Sequence, residues 1–298
     1  MRIVTWESDY KVLTKASADD FFNSTLPEIT LFKFKTRKFN VAPHHGAFSI
    51  KAVSFGEESY FFGKQRLKLR CNGIIPVNGG QEYSSTINEE TDSLSIFFED
   101  SEVKKAAVEI VSNTSRLLDD PDVTVPATPE VPQIVFPVCT KMKRNLAGIN
   151  AAVNSRDIEL TQSLAQYCLR DLLATVLVLE PGESFREITK KSTREELLGR
   201  VLRAKSYIDE HNGKDCTLEM LAEVACMSKY HFLRVFREVL GVTPVTYARR
   251  RRLVLAAGAL RRGECEKQCA KLAGFSSFML FERAYVRAFG VLPHAGVN

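Results

Sequence analysis

The chain has 298 residues, 45% of them hydrophobic and 26% charged, with 41 Lys/Arg against 36 Asp/Glu. That length exceeds one small core and suits two domains, and the composition excludes a disordered, collagen-like or membrane-embedded chain. The net charge of +5 is unevenly spread: residues 194–298 hold 18 Lys/Arg and 11 Asp/Glu, whereas residues 1–193 hold 23 and 25. A basic C-terminal part beside a near-neutral remainder points to a polyanionic partner for the former; a merely solvated basic surface is the other reading.

The seven cysteines form no C-x-x-C, and no Cys or His near Cys265 and Cys269 completes a four-ligand set. A zinc framework is therefore not expected, and a reduced, cytoplasmic setting is. The mixed polar start, Met1 to Tyr10, does not read as a signal peptide. The longest aliphatic run, Val176 to Leu179, is far too short to cross a bilayer.

In chain order, residues 29–98 read as β. Ile29 to Thr36 and Ala47 to Phe55 alternate apolar and polar residues, and Arg66 to Cys71, Ile74 to Val77 and Leu94 to Phe98 are shorter candidates. Gly56, Gly73 and Asn78-Gly79-Gly80 supply turns, so a small β-barrel or sandwich is expected. The aromatics Phe34, Phe48, Tyr60, Phe61 and Phe62 read as core, with some available to wall a pocket. His44-His45 suggests a metal site at first sight. Adjacent strand residues point to opposite faces, however, no third His follows in the β region, and Glu57 and Glu58 fall at an expected turn. The pair therefore reads as solvated or loop histidines, with contact to a ligand as the second reading and a metal enzyme as the third.

A helix is predicted over 102–113. Pro121, Pro126, Pro129, Pro132 and Pro137 then exclude a regular helix. From about 141 to 180 the pattern is helical again. Leu160, Leu164, Tyr167, Cys168, Asp171, Leu172, Thr175 and Leu179 fall near one face, which packs either within its own domain or against a second copy. Pro181-Gly182 ends this helix, Lys190 to Thr193 reads as a linker, and everything beyond reads as α.

That last part contains a repeat. Phe236-Arg-Glu-Val-Leu-Gly-Val-Thr-Pro244 matches Tyr285-Val-Arg-Ala-Phe-Gly-Val-Leu-Pro293 at an offset of 49, which also pairs Ser228 with Ser277, Phe232 with Phe281 and Arg234 with Arg283. A short helical unit repeated at fixed spacing implies a duplicated motif. In the first copy Leu218, Leu221, Ala222 and Ala225 form one apolar stripe behind a Thr217 N-cap. Phe232, Val235, Phe236 and Val239 form a second behind Ser228, and Gly241 suits the helix end. Two short amphipathic helices around a tight turn make a helix-turn-helix, whose second helix enters the DNA major groove. Its outward residues are Lys229, Tyr230, Leu233, Arg234 and Arg237.

Thr243 and Pro244 start a connecting helix that runs to about Arg262 and carries Arg249 to Arg252. One or two of these four arginines are expected to meet phosphate or an acid. At ~1.5 Å per residue this helix is roughly 27 Å long, near the ~34 Å between successive major-groove faces. The second copy buries Phe281, Ala284, Tyr285 and Ala288 and presents an apolar tip, Phe278 and Met279, with Arg283 and Arg287 as its polar readers.

On these residues the C-terminal hundred positions resemble the AraC/XylS family of bacterial transcription regulators. The second copy matches that family's signature at Gly274-Phe275-Ser276, Phe281, Arg283, Tyr285 and Phe289-Gly290-Val291-Leu292-Pro293. The resemblance implies base contacts from Lys229, Tyr230, Leu233 and Arg234 in the first unit and from Phe278, Met279 and Arg283 in the second. Leu233, Phe278 and Met279 stand where the family commonly has polar readers, and Glu266 stands at a usually apolar place. Pro76-Val77-Asn78-Gly79-Gly80, Tyr83 and Ser93 to Phe98 give the N-terminal part a looser resemblance to the family's cupin-like sensor.

The expected fold is thus α+β. Residues 1–140 form a cupin-like β-barrel sensor with packed helices, and residues 141–192 a helical dimerisation segment and linker. Residues 193–298 form an all-α domain of two helix-turn-helix units joined by a long helix. The resemblance implies a non-enzymatic, cytoplasmic activator with no cofactor and no membrane contact. Its implied partners are double-stranded DNA, RNA polymerase, a small-molecule effector and a second copy held through the 155–180 helix. A regulator controlled by a protein partner, or a cupin metal enzyme fused to a DNA-binding module, are the alternatives.

Overall fold

A computed structural model of the chain describes residues 1–7, 10–13, 27–112, 128–177, 179, 185, 190–289 and 292–293. The contacts divide it into two compact units, Met1–Leu179 and Glu180–Asn298. Pro121, Pro126, Pro181, Gly182, Gly290 and Val291, all named above, lie outside the described residues.

The first unit begins with two β-sheets. One has the order β1 (Arg2–Glu7), β3 (Ile29–Thr36), β10 (Thr91–Phe98), β5 (Phe48–Phe55), β8 (Gly73–Val77), β11 (Phe136–Pro137). The other runs β2 (Tyr10–Leu13), β4 (Lys38–His45), β9 (Glu82–Ile87), β6 (Glu58–Phe62), β7 (Gln65–Leu69). Among the described residues the two ladders do not join, so the expected barrel is instead an open pair of sheets. The chain itself explains this. From β3 to β6 and from β7 to β10 each strand changes sheet, and only β6 and β7 pair as sequence neighbours, across the two-residue turn Gly63-Lys64. Each sheet also acquires a parallel edge, β1 on β3 and β2 on β4.

Apolar side chains from both sheets make the core, including Phe32, Phe39, Val41, Ile87 and Phe97 in one cluster and Val53, Tyr60, Leu69, Ile75 and Val77 in another. Phe34 lies partly buried against Phe39, Phe48 is buried, Phe62 nearly so, and Phe61 only half-buried.

This core contains two ionisable groups that the sequence placed at the surface or left unremarked. Lys51 is 2% exposed and Glu58 1%. The Lys51 ammonium donates to Tyr83 Oη at 3.0 Å and lies 3.9 Å from the centre of the Phe97 ring. Ser93 donates to Glu58 Oε2 at 2.6 Å. Burial pulls the Lys51 pKa down to about 7 against the opposing pull of Glu58, and burial likewise raises that of Glu58. Glu58 therefore does not sit in a turn, as expected, but opens β6 with its side chain inward. Its neighbour Glu57 remains outside, bound by Lys68 at 2.9 Å and Arg70 at 2.6 Å.

The histidine pair splits across the strand. His45 is exposed, whereas His44 is buried, its ring 4.3 Å from that of Tyr83. The expectation of a solvated pair fails for His44, because β4 turns that face into the core. Among the described residues no group of three or more His, Cys, Asp or Glu is arranged to hold a metal ion. The space beside Lys51, Glu58 and His44 amounts to about 30 Å³, enough for roughly two water molecules.

Among the described residues three helices follow: α1 (Asp100–Ser112), α2 (Thr140–Ser155) and α3 (Ile158–Leu177). The continuous helix expected over 141–180 is two helices. Arg156 adopts a left-handed conformation, φ 59°, that stops α2, and Asp157 Oδ1 accepts the Leu160 N–H at 2.9 Å to start α3. The α3 stripe is used within the unit. Cys168, Leu169, Leu172 and Leu173 are buried, and Leu164 closes over Gly148 of α2, where an added Cβ would stand 2.9 Å from Leu164 Cδ1. Asp171 pairs with Lys141 of α2 at 2.7 Å, and Arg170 with Glu109 of α1 at 2.7 Å. Ile158, Leu160 and Tyr167 stay exposed. No helix among the described residues is long and apolar enough to cross a membrane.

Among its described residues the second unit has helices and no strand: α4 (Lys191–Glu210), α5 (Leu218–Val224), α6 (Lys229–Leu240), α7 (Pro244–Arg261), α8 (Glu266–Leu272) and α9 (Phe278–Phe289). Thr243 caps α7 by accepting the Thr246 N–H, with Pro244 in the first turn, as predicted. One end of α7 meets the α5–α6 pair through Tyr247, 6.1 Å from the Phe236 ring. The other end supplies Leu253, Ala256, Ala257, Ala259 and Leu260 to a core with Cys269, Ala270, Ala273, Phe281 and Tyr285. Asp209, near the end of α4, accepts from Lys205 at 2.9 Å and Tyr247 Oη at 3.1 Å and lies 2.7 Å from Arg251 Nε. Gly213 follows it at φ +72°, where a Cβ would come within 2.2 Å of the Ala248 carbonyl oxygen.

Gly213→Ala should cost about 2 kcal/mol or more in thermal melts, combining left-handed strain with a backbone clash; an unchanged melt would contradict the close approach. Lys51→Met should cost about 3 kcal/mol in urea unfolding by stranding Glu58, and Lys51→Met/Glu58→Leu should recover most of that loss. Additive losses would mean that the two groups do not interact. Because an unfolded chain holds the Lys51 proton up to its ordinary pKa, wild-type stability should also gain from this residue between about pH 7 and 10. Lys51→Met should remove that rise.

Candidate nucleic-acid interface

In the first helix-turn-helix unit, Thr217 Oγ1 accepts the Met220 N–H at 3.2 Å and so begins α5. Leu221, Ala222 and Ala225 are buried. The chain then turns through Cys226, which is left-handed at φ 52°, while the Met227 N–H returns to the Ala222 carbonyl at 2.9 Å. Arg200 of α4 braces this turn. It donates to the Cys226 carbonyl at 2.6 Å and pairs with Glu196 at 2.6 Å. Ser228 holds the extended N-cap conformation of α6, though its side chain makes no capping bond. Gly241, at φ 70°, ends α6 with its N–H on the Arg237 carbonyl at 2.8 Å.

This frame buries Phe232, Val235, Phe236 and Val239, as the spacing predicts. It leaves Lys229, Tyr230, Arg234 and Arg237 exposed, with Leu233 half-buried among them. Tyr230 is 88% exposed, so its ring and hydroxyl are both accessible to a partner. Lys229 is 2.7 Å from Glu219 of α5, and that hydrogen bond holds the Glu219 carboxyl below its usual range. Both partners are largely exposed, so the pair is weak and readily exchanged for another anion.

The second unit repeats the plan with one change. Its first helix lies 48 positions after that of the first unit and its second helix 49, because its turn is one residue longer. Gly274 takes the left-handed place of Cys226 at φ +77°, and the Phe275 N–H returns to the Ala270 carbonyl at 3.0 Å. Phe281 and Tyr285 are buried, but Ala288 is exposed because α9 reaches past its core there. Phe278 is not fully outward: it is half-buried and packs 6.0 Å from the Phe281 ring. The exposed tip is Met279 with Leu280, which the sequence reading missed for want of a polar or periodic signal. Arg283 and Arg287 are exposed and line one groove with Arg249 and Arg252 of α7. Of the other two arginines in the run 249–252, Arg251 meets Asp209 and Arg250 is exposed.

The arrangement is a double helix-turn-helix on one shared helix, the geometry of a DNA-binding module. A helix-turn-helix domain family matches residues 221–296. The chain is 35% identical over 89 residues to the probable transcriptional regulator LumQ of Photobacterium leiognathi, covering 30% of this chain and 36% of LumQ. It is 36% identical over 85 residues to the RCS-specific transcriptional activator RclR of Escherichia coli, covering 28% of this chain and 30% of RclR. It is also 35% identical over 89 residues to the regulatory protein SoxS of Escherichia coli, covering 30% of this chain and 83% of SoxS. The chain thus spans about a third of the length of LumQ and RclR but most of SoxS. It belongs to the AraC/XylS family of DNA-binding transcription regulators.

The two exposed faces predict different losses. Arg234→Ala should weaken binding to the cognate site by about 1–3 kcal/mol and alter base preference; unchanged affinity and footprint would exclude it as a reader. Met279→Ala should cost less discrimination, because an apolar contact carries little base code. Phe278→Ala should show as lost thermal stability instead.

Proposed function

We propose that the protein is a sequence-specific activator in which α6 reads bases from the major groove through Lys229, Tyr230, Leu233, Arg234 and Arg237. The carrying observation is the exposed Tyr230–Arg234–Arg237 face set directly opposite a buried Phe/Val stripe. In this reading α9 lies in the next major-groove segment, with Phe278 and Met279 at its tip and Arg283 and Arg287 behind them. The activator role, and contact with RNA polymerase, are supported by the family and by RclR, itself named as an activator. A cytoplasmic location and a non-enzymatic role accord with the same family.

Residues 1–140 act as the sensor, 141–192 as the dimerisation segment and linker, and 193–298 as the DNA-binding part. A homodimer through the 155–180 helix draws on the exposed Ile158, Leu160 and Tyr167, since the rest of the stripe packs within its own unit. The sensor has two readings. One is a small-molecule effector seated between the sheets. The other is control by a protein partner, which the small space of about 30 Å³ beside Lys51 favours, since a drug-sized ligand would need more room than this.

Site selection from a random duplex pool, followed by affinity measurements across salt concentrations, tests the DNA reading. A recurring site should emerge, and log K should fall steeply and linearly with log salt, as expected where phosphates are neutralised. No enriched site or a flat salt response would contradict it.

A further inference from the structure

We propose that the groove between α7 and the second helix-turn-helix is a phosphodiester clamp, in which Arg249, Arg252, Arg283 and Arg287 converge on the backbone of the same duplex. The inference rests on the DNA reading above and deepens it: the second unit holds DNA by charge while the first reads sequence.

The groove encloses about 440 Å³ and is lined by those four arginines with Gly274, Ser276 and Leu280 among others; none of its lining residues is acidic. That is ample room for a phosphate with its waters, each of which takes about 30 Å³ in the liquid. Gly274 lets Arg252 lie along the turn, since a Cβ there would stand 2.8 Å from Arg252 Nη1. Arg252 Nε is shielded from solvent and has no hydrogen-bond partner among the described residues. Four like charges share one space with no acidic side chain among its described lining residues. Guanidinium forks match phosphate oxygens in pairs and are the side chains suited to such a site.

The duplicated unit supplies an internal control. In the first unit, Arg200 rests on the left-handed turn residue Cys226 as Arg252 rests on Gly274, but Arg200 is paired with Glu196. The offset of 49 places Arg234 and Glu238 where the second unit has Arg283 and Arg287. The equivalent surface thus mixes charges in the first unit and is wholly basic in the second.

Placement along α9 favours phosphate over bases. A recognition helix reads with its N-terminal residues, and here those are Met279 and Leu280, which cannot make bidentate hydrogen bonds. Arg283 and Arg287 stand one and two turns further along, on the side facing α7.

The test uses the full chain, its selected site and a scrambled duplex of equal length. Arg249→Gln/Arg287→Gln, at two exposed positions, should weaken both duplexes equally, on the order of tenfold or more, and lower the salt slope by about 2, roughly 1 for each charge removed. Arg249→Lys/Arg287→Lys should restore most of the slope. Arg252→Gln, with folding checked by its thermal melt, should act in the same direction. Unchanged affinity and slope, in a protein that still binds its site, would overturn the clamp and leave the DNA reading intact, as would loss confined to the selected site. A slope unchanged in the Gln variant together with lost binding of an acidic peptide would assign the groove to a protein partner instead. Failure of the wild type to bind any duplex would sink both readings.

Discussion

The Asp209 carboxylate receives Lys205, the Tyr247 hydroxyl and Arg251, and so fastens the end of α4 to the first half of α7. Gly213, pressed against the Ala248 carbonyl, fixes the same junction by contact. The remaining half of α7 is the wall of the second helix-turn-helix core. One rigid helix of 18 residues, buried at both ends, therefore determines where α6 and α9 can be. At roughly 27 Å it is stiff over the distance between neighbouring major-groove faces. Without this shared packing, two units with seven-residue first helices would have cores too small to hold a defined spacing.

On this common frame the units diverge in surface chemistry. The first carries a mixed polar and aromatic face on α6 and a left-handed Cys226 stabilised by Arg200. The second carries an apolar tip, a glycine at the same turn and an arginine groove behind it. Specificity comes from hydrogen bonds to base edges, whereas phosphate contacts add affinity and orientation. A division of labour between units relaxes the demand that every helix do both.

Much of this was legible in the sequence. Short amphipathic helices announce themselves through apolar residues at i, i+3, i+4 and i+7, and Thr217, Gly241 and Thr243 mark their ends by cap chemistry, so the second unit could be read almost residue by residue. The sequence was less informative where tertiary contacts override local pattern. Arg156 splits a continuous helical pattern through a left-handed conformation that nothing in its own side chain demands. Phe278 looks outward by helical position, yet packs on Phe281. In the sheets, β6 and β9 lacked clean alternation, β4 kept it only from Lys38 to Val41 before Ala42-Pro43 broke it, and the buried Lys51 and Glu58 look like surface charges when taken alone. A charged residue in a strand reads as solvent-facing by default; only the pairing of β5, β6, β9 and β10 shows that their hydroxyls and rings make a polar centre in the core.

Two unequal DNA-binding units held at fixed spacing by α7 should leave a distinct mark on the selected site, readable by chemical-interference footprinting. Two tracts should appear on one face of the duplex about 10 base pairs apart. Base modification should block binding in one tract, and phosphate ethylation should dominate in the other. A single tract, two tracts on opposite faces, or equal base interference in both would contradict that arrangement.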